Sequence, residues 1–377
     1  MTQVPLLDLA AQHASIRPEI DAAVARVLDH GRFVAGPEVA AFEERFADFC
    51  GARHAIGTSS GTDGLTLALR AAGVGRGDEV ITSAMTFIAT AESIVEAGAR
   101  PVLVDPEPDT ALMGPEHVEA AITDATAAIV VVHLYGQAAD MTELHRLAER
   151  RGLLLIEDAA QAHGASWRGI RAGALGKMAA FSFFPGKNLG ALGDAGAVTT
   201  DDDGLAARVR RLRDHGRSDK YRHDVLGVNA RLDTLQAAVL GIKLERLEGW
   251  NAARRATAET YDQAFADLEH ARPLRVRADA QSVYHWYVLR MQDRDAGASH
   301  LAERGVASGI HYPIPLNRQP ALEALVPAEG FPEADRLASE VLSLPVHPEL
   351  SDDQRGAVID AVREHALDPI AVRGRAA

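Results

Sequence analysis

Apolar residues near the start of the chain recur at helical spacing. Ile16, Ile20, Ala23, Val24, Val27 and Leu28 share one face, and Gly31 follows as a stop. Val39, Phe42, Phe46 and Phe49 define a second face, on a helix expected from about Glu38 to Gly51. The texture then changes. Residues 54–57 read as a short strand and residues 58–63 as a loop of small residues. Leu65, Ala68, Leu69 and Ala72 line one face of a helix that stops at Gly73. Strands are expected over 79–82, 101–105, 128–132, 153–156, 179–183 and 196–200, with helices over 91–97 and 143–151 between them. The strands are apolar without in/out alternation, so both of their faces must be buried. Such strands, separated by helices, predict an α/β fold with a mostly parallel sheet covered on both sides.

A long helix over 232–247 is expected to lead out of this first domain. Past Trp250 the pattern differs. A strand over 283–291, a helical piece over 301–304, a proline-stiffened segment over 309–316 and a helix over 352–365 describe a smaller α+β unit. The expected division is a large domain over 1–248, with an N-terminal helical segment, and a small C-terminal domain over 249–377. A chain of 377 residues is long for one compact core, which agrees with two domains. Residues 372–377 are expected to fray.

Composition narrows the function. The formal charge of -14 argues against a general nucleic-acid binder, which would be basic. It leaves room for an anionic substrate held by a local basic cluster. Cys50 is the only cysteine, so an intrachain disulfide and a cysteine-based zinc site are excluded, and a small buried hydrophobe is the expected role. The N-terminus lacks a basic start followed by an apolar run, and no apolar stretch approaches bilayer-spanning length. The expectation is a soluble, cytoplasmic protein with no membrane partner.

The chemistry concentrates around Lys187, in Phe181-Ser182-Phe183-Phe184-Pro185-Gly186-Lys187-Asn188-Leu189-Gly190. An amine after an apolar, aromatic run is shielded from water, which lowers its pKa and makes it a nucleophile. Upstream, the strand over 153–156 delivers Glu157-Asp158-Ala159-Ala160-Gln161 at its carboxyl end, where ligands sit in open α/β sheets. Ser60-Gly61-Thr62-Asp63 lies between a strand and a helix start. That arrangement is either an anion site or an ordinary serine or threonine cap. It is not an ATP-type loop, since Gly176-Lys177 is followed by Met178, and Gly190, Gly193 and Gly196 do not make a dinucleotide fingerprint. In the basic stretch 205–222, Arg208, Arg210, Arg211 and Arg213 read as a solvated helix face. Lys220 and Tyr221, in the loop beyond, are the better candidates for gripping a phosphate.

Three classes of chemistry are open to these residues. His133, His163 and Asp158 could ligate a metal, but the fifteen histidines are scattered and no ligand-type spacing occurs. A serine hydrolase lacks its Gly-x-Ser-x-Gly elbow. A phosphate cradle, the flat ring of Phe87, a carboxylate and a lysine match what pyridoxal phosphate (PLP) requires. Its aldehyde needs a lysine, its ring nitrogen a carboxylate, and its phosphate the donors of a helix start.

These motifs also carry a family resemblance. The chain resembles the DegT/DnrJ/EryC1/StrS nucleotide-sugar aminotransferases, of the aspartate-aminotransferase fold (PLP-dependent fold type I), from Pro5-Leu6-Leu7-Asp8-Leu9 to the region of Pro345. The matches include Gly36-Pro37-Glu38-Val39, Ser60-Gly61-Thr62-Asp63, Thr86-Phe87-Ile88-Ala89-Thr90, His133-Leu134-Tyr135-Gly136-Gln137 and Glu157-Asp158-Ala159-Ala160-Gln161. They continue through the Lys187 stretch to Asn229-Ala230-Arg231-Leu232-Asp233 and Leu235-Gln236-Ala237-Ala238. The resemblance implies a large domain with a seven-stranded sheet and a smaller α+β domain. It implies that Lys187 forms the Schiff base, Asp158 pairs with the ring nitrogen, Gln161 bonds the ring hydroxyl oxygen and Phe87 stacks on the ring. Gly61, Thr62 and Ser182 would hold the phosphate, joined by Asn229 from the neighbouring subunit of a homodimer with shared sites. Lys220, Tyr221, His311 and Tyr312 would lie near the nucleotide sugar.

By the same resemblance the reaction is ping-pong. L-Glutamate gives its amino group, 2-oxoglutarate leaves, pyridoxamine phosphate (PMP) remains, and a TDP-linked keto-deoxysugar is aminated at C-3 or C-4. The run from Phe184 to Ala191 looks more like relatives acting on 3-keto sugars. Asn317-Arg318-Gln319 and Phe184 depart from the residues that many relatives carry, which bears on the sugar contacts and not on the cofactor. The alternatives are a keto-inositol aminotransferase, a deoxysugar dehydratase and a non-catalytic regulatory protein. Dehydratase relatives replace the lysine with histidine, and the regulatory reading requires an idle cofactor site.

Overall fold

The computed structural model describes residues 2–367. Its strands are β1 (His54–Thr58), β2 (Glu79–Ser83), β3 (Arg100–Val104), β4 (Thr126–Val132), β5 (Leu154–Asp158), β6 (Ser166–Trp167), β7 (Ile170–Arg171), β8 (Met178–Ser182), β9 (Gly196–Thr200), β10 (Ala271–Pro273), β11 (Ala280–Gln281), β12 (Tyr287–Met291) and β13 (Val341–Leu344). Seven of them form one sheet in the order β1-β9-β8-β5-β4-β2-β3. Pairing is parallel from β8 through β5, β4 and β2 to β3, and β9 alone runs against the rest. This is the mostly parallel sheet expected from the uninterrupted apolar strands.

Strand β4 shows why those strands read as continuous apolar runs. Ile129 and Val131 pack into one core cluster, Ala128 and Val130 into another on the opposite face. All four are fully buried. A buried side chain of this kind contributes about 1.5–3 kcal/mol relative to exposure, so a polar residue on either face is costly. One face is covered by α4 (Gly61–Ala71), α5 (Ile88–Glu96) and α8 (Asp203–Leu212), through Leu65, Ala68, Ile94, Leu205 and Val209. The other is covered by α6 (Pro115–Ala121) and α7 (Met141–Arg151), through Val118, Leu144 and Leu147.

The N-terminal helices are α1 (Leu9–Ser15), α2 (Arg17–His30) and α3 (Pro37–Cys50). Helix α2 ends at Gly31 with φ 66° and α3 at Gly51 with φ 75°, the left-handed stops expected of those glycines. The aromatic face of α3 packs on the lysine region. Phe46 lies edge-on to both Phe181 and Phe183, with centroids 5.0 and 5.1 Å apart. Cys50 is buried among these groups, and burial pushes its thiol pKa up.

The helix expected over 232–247 is two helices, α9 (Thr234–Leu244) and α10 (Leu247–Phe265). Leu240, Leu244 and Leu247 all enter one core cluster, so apolar periodicity runs across the joint and hides it. Helix α10 continues well past Trp250. Asn251 and Arg254 are buried on its inner face, and these polar residues mask the helical pattern. The strand expected over 283–291 begins only at Tyr287. Residues 282–286 are instead tied to the turn that follows β4, with Val283 N–H donating to Gly136 O across 2.9 Å.

Strands β10, β12 and β13 form a second, antiparallel sheet. It packs against α10, α11 (Arg294–Glu303) and α13 (Asp352–Leu367), through Tyr261, Phe265, Leu301, Val358 and Val362. Helix α12 (Pro332–Glu340) is joined to the first sheet by Asp105, whose carboxylate accepts from the N–H groups of Glu333 and Ala334. Among the described residues no helix is long and apolar enough to cross a membrane. The terminal stretch 372–377 lies outside the described residues.

Candidate active site

Strands β1, β2, β4, β5 and β8 point the same way, so their carboxyl ends meet along one edge of the sheet. A cavity of about 380 Å³ opens there. Of the residues expected from sequence, Gly61, Thr62, Phe87, Asp158, Gln161, Ser182, Lys187, His311 and Tyr312 all line it.

The helix start after β1 is built for an anion. Ser60 Oγ accepts from Asp63 N–H across 3.0 Å and so caps α4. The N–H groups of Gly61 and Thr62, in the first turn, have no residue four back to bond. A Cβ on Gly61 would stand 2.7 Å from Ser182 Cβ, and one on Gly196 would stand 2.3 Å from Ser60 O. Only glycine at both positions lets this turn approach the end of β8 and the start of β9. The two readings left open for the loop therefore coexist. Ser60 is an ordinary cap, and the donors it leaves free face the cavity.

Asp158 ends β5 and is held from two sides. Thr90 Oγ1 donates to its Oδ2 across 2.8 Å, and Ala160 N–H donates to its Oδ1 across 3.2 Å. Gln161 is oriented by the backbone. Its Oε1 accepts from Tyr135 N–H at 2.6 Å, which turns its Nε2 toward Tyr312 Oη at 3.0 Å. Tyr135 adopts φ 60° to make this contact. Phe87 presents an exposed ring 5.6 Å from that of Tyr312.

Lys187 sits in the connection between β8 and β9. Its N–H donates to Phe184 O, and Ala191 N–H donates to Phe183 O, each across 2.8 Å. The residue opens onto the cavity, but protein surrounds its ammonium. Burial lowers its pKa to about 8, with Asp158 acting in the opposite sense. His311 stacks on Trp286, with centroids 4.3 Å apart and planes 12° apart, and its Nδ1 lies 2.8 Å from Ser343 Oγ. Burial, reinforced by Lys187, lowers the His311 pKa to about 4, so the ring is neutral.

Three expected residues lie elsewhere. Lys220, Tyr221 and Asn229 do not line this cavity. They occupy the exposed stretch after α8, where Tyr221 is 81 % exposed and Leu226 90 %. Asn229 Oδ1 accepts from Arg231 Nε at 3.0 Å. Within the basic stretch Arg213 departs from the solvated face expected of it. It turns inward to Glu43 and to the carbonyl of Gly57. The residues weighed as metal ligands are otherwise engaged. His133 pairs with Glu157 at 2.9 Å, and the His163 ring lies between Phe181 and Phe183. Among the described residues no group of three or more His, Cys, Asp or Glu could hold a metal ion.

Sequence reasoning missed Thr86, Thr90, Asn188, His285 and Trp286. Thr90 follows Phe87 by three positions, one helical turn, and that spacing was the one local signal available.

The donor set suits a phosphorylated pyridine aldehyde. Its phosphate would call for glycine-lined N–H groups, its ring nitrogen for an oriented carboxylate, its ring oxygen for an amide N–H₂ and its aldehyde for a lysine of lowered pKa, and the cavity lining includes each of these.

A model of the family described as the DegT/DnrJ/EryC1/StrS aminotransferase family matches residues 14–363. The chain is 49% identical over 365 residues to a dTDP-3-amino-3,4,6-trideoxy-alpha-D-glucose transaminase of Streptomyces venezuelae, covering 97% of this chain and 96% of that protein. It superposes on the crystal structure of S. venezuelae DesV in complex with a ketimine intermediate with TM-score 0.96 and 48% identity, over 98% of this chain and all of that one. It also resembles ntda from Bacillus subtilis with bound PMP, with TM-score 0.91 and 30% identity, over 98% of this chain and 86% of that one.

Proposed function

Because the chain belongs to the DegT/DnrJ/EryC1/StrS aminotransferase family, we propose that it transfers the amino group of L-glutamate to a TDP-linked keto-deoxysugar, at C-3 or C-4, giving a TDP-amino sugar. The observation that carries this reading is the cavity itself. A lysine of lowered pKa, an oriented carboxylate and a glycine-lined helix start meet at the carboxyl ends of five parallel strands. The 49% identical sugar transaminase supports the substrate class.

Pyridoxal phosphate, when bound, supplies an aldehyde for the amine and a ring that withdraws electrons from the adjoining carbon, with PMP standing between the two halves of the reaction. The N–H groups of Gly61 and Thr62 and the Ser182 hydroxyl would hold its phosphate. The Asp158 carboxylate, oriented by the hydrogen bond from Thr90, would pair with the protonated ring nitrogen. Gln161 Nε2 would donate to the ring oxygen, and Phe87 would cover one ring face and exclude water. Near neutral pH part of the Lys187 population is unprotonated, because its pKa is about 8. Its Nζ would take the proton from Cα of the amino donor and deliver it to the carbon on the far side of the transferred nitrogen, acting as base and then acid. With the keto sugar, Lys187 runs the same transfer in reverse.

The working form in this reading is a homodimer in the cytoplasm. Asn229 of the partner subunit would complete the phosphate site, and Lys220 and Tyr221 would come to the nucleotide from the same side. The exposed apolar side chains of Tyr221, Val225, Leu226 and Val228 are what such a contact would cover.

An absorbance spectrum before and after L-glutamate tests the proposal. A band of lysine-bound cofactor should appear with PLP, give way to the PMP band with L-glutamate, and return with a TDP-keto sugar. No band after incubation with PLP would remove the enzyme reading and favour a regulatory protein.

A further inference from the structure

Behind the cavity, a chain of amides fixes the state of a histidine to which no role has been given. Asn251 Nδ2 donates to the backbone carbonyl of His163 across 2.8 Å, which turns Asn251 Oδ1 toward Asn188. Asn188 Nδ2 donates to that Oδ1 at 2.9 Å and to the carbonyl of Val283 at 3.0 Å. A backbone carbonyl only accepts, so the orientation of both amides is settled. Asn188 Oδ1 must then accept, and it faces His285 Nδ1 at 3.2 Å. His285 therefore carries a proton on Nδ1. The ring is enclosed by protein and flanked by Trp286, 4.7 Å between centroids. Burial and the neighbouring cations Lys187 and Arg254 hold its pKa well below the usual histidine range. A neutral ring with its proton on Nδ1 has a bare lone pair on Nε2. His285 lines the same cavity as Lys187, and Asn188, which sets the tautomer, is the next residue after that lysine.

We propose that His285 is a positioning residue for Lys187, presenting a fixed acceptor, Nε2, to the lysine amine. The proposal rests on the reading of Lys187 as the cofactor lysine. In its protonated state the amine has three hydrogens to place, and an acceptor on the cavity wall directs it between the two carbons it serves. A donor at Nε2 would instead repel the ammonium. The Asn251–Asn188 pair makes the difference, so His285 acts on Lys187 through its tautomer and not through its charge.

Two measurements test this on the full chain without cofactor. The first is a long-range proton–nitrogen spectrum of protein carrying 15N-histidine, with the His285 signals assigned by their loss in His285→Asn or, if that variant does not fold, by proximity to the Trp286 ring. A proton on Nδ1 and a bare Nε2 are expected. A proton on Nε2 overturns the proposal. The second is the pKa of Lys187, read from the carbon signal of 13C-methylated lysine and assigned with Lys187→Arg. His285→Asn keeps a donor toward Asn188 and deletes the Nε2 acceptor, so the Lys187 pKa should fall by about one unit. His285→Gln, which returns an oxygen near Nε2, should restore most of it. An unchanged or raised pKa in His285→Asn would overturn the proposal, since a merely structural histidine leaves it unmoved. Neither measurement uses PLP, so a protein that fails to bind PLP removes the lysine reading and leaves the tautomer result standing.

Discussion

Thr90 Oγ1 donates its only hydroxyl proton to Asp158 Oδ2 across 2.8 Å. That direction settles a second bond. Thr90 Oγ1 lies 3.0 Å from Thr86 Oγ1, so Thr86 must be the donor there. Both threonines are buried, and the pair forms a short polarised chain ending on the carboxylate. Thr90→Val keeps the shape and removes the final donor. Asp158 then keeps only the Ala160 N–H contact and is less firmly oriented toward the ring nitrogen. We expect the rate of the L-glutamate half-reaction to fall about tenfold, the equivalent of about 1.4 kcal/mol, with the unfolding midpoint little changed. Stopped-flow absorbance checks the first and urea unfolding the second.

Gly61→Ala is expected to weaken cofactor binding at least tenfold, a rough figure for a displaced anion cradle. The added Cβ would meet Ser182 Cβ at 2.7 Å, and neither backbone can yield without separating α4 from β8. Fluorescence titration with PLP reads the affinity. Affinity equal to that of the unaltered protein would mean that the phosphate lies elsewhere.

Lys187 makes the stability of the cofactor-free protein depend on pH. Its pKa is about 8 in the fold, against 10.5 for an ordinary lysine. Between those values the unfolded chain holds a proton that the folded chain lacks, so stability rises with pH across the window. Below pH 8 the cost of enclosing the ammonium is present in full. Lys187→Met removes it and should unfold at higher urea than the unaltered protein below pH 8. That advantage should shrink as pH climbs above 8. Lys243 carries a similar shift but is present in both proteins and cancels in the comparison. The variant should also show no lysine-bound cofactor band.

Glu157 supports the strand that delivers Asp158. Its carboxylate accepts from the N–H groups of Gly173, Leu175 and Gly176 and from His133 Nε2, and both side chains of the pair are fully buried. Glu157→Gln turns a donor toward donors. We expect a loss of about 2–4 kcal/mol in urea unfolding, with PLP affinity falling only as far as the β5 end shifts.

The fold was legible where a pattern is local. Uniformly apolar strands announced a sheet buried on both sides, and β9 was located to the residue over 196–200. The α9–α10 joint was not legible, because Leu244 and Leu247 continue the same apolar face across it. The site divided in the same way. Lys187, Asp158 and the Ser60 loop stood out through residue type and position at strand ends. Thr90 and His285 did not. Thr90 acts on a residue 68 positions away and His285 is held by one 97 away, and nothing around the threonine or the histidine encodes its partner.

The place of β1 at the sheet edge has a consequence for biosynthesis. Among the described residues its only neighbour in the sheet is β9, in a register that sets His54 against Thr200 and Thr58 against Gly196. The helix start that faces the cavity is therefore among the earliest parts of the site to leave the ribosome and among the last to be anchored. Until residue 200 has been synthesised, the strand behind it has nothing to pair with, and loop closure over that span must precede the reward. A chain that has not reached residue 200 therefore lacks the strand partner of the anion cradle, which is completed only with the far arm of the lysine hairpin.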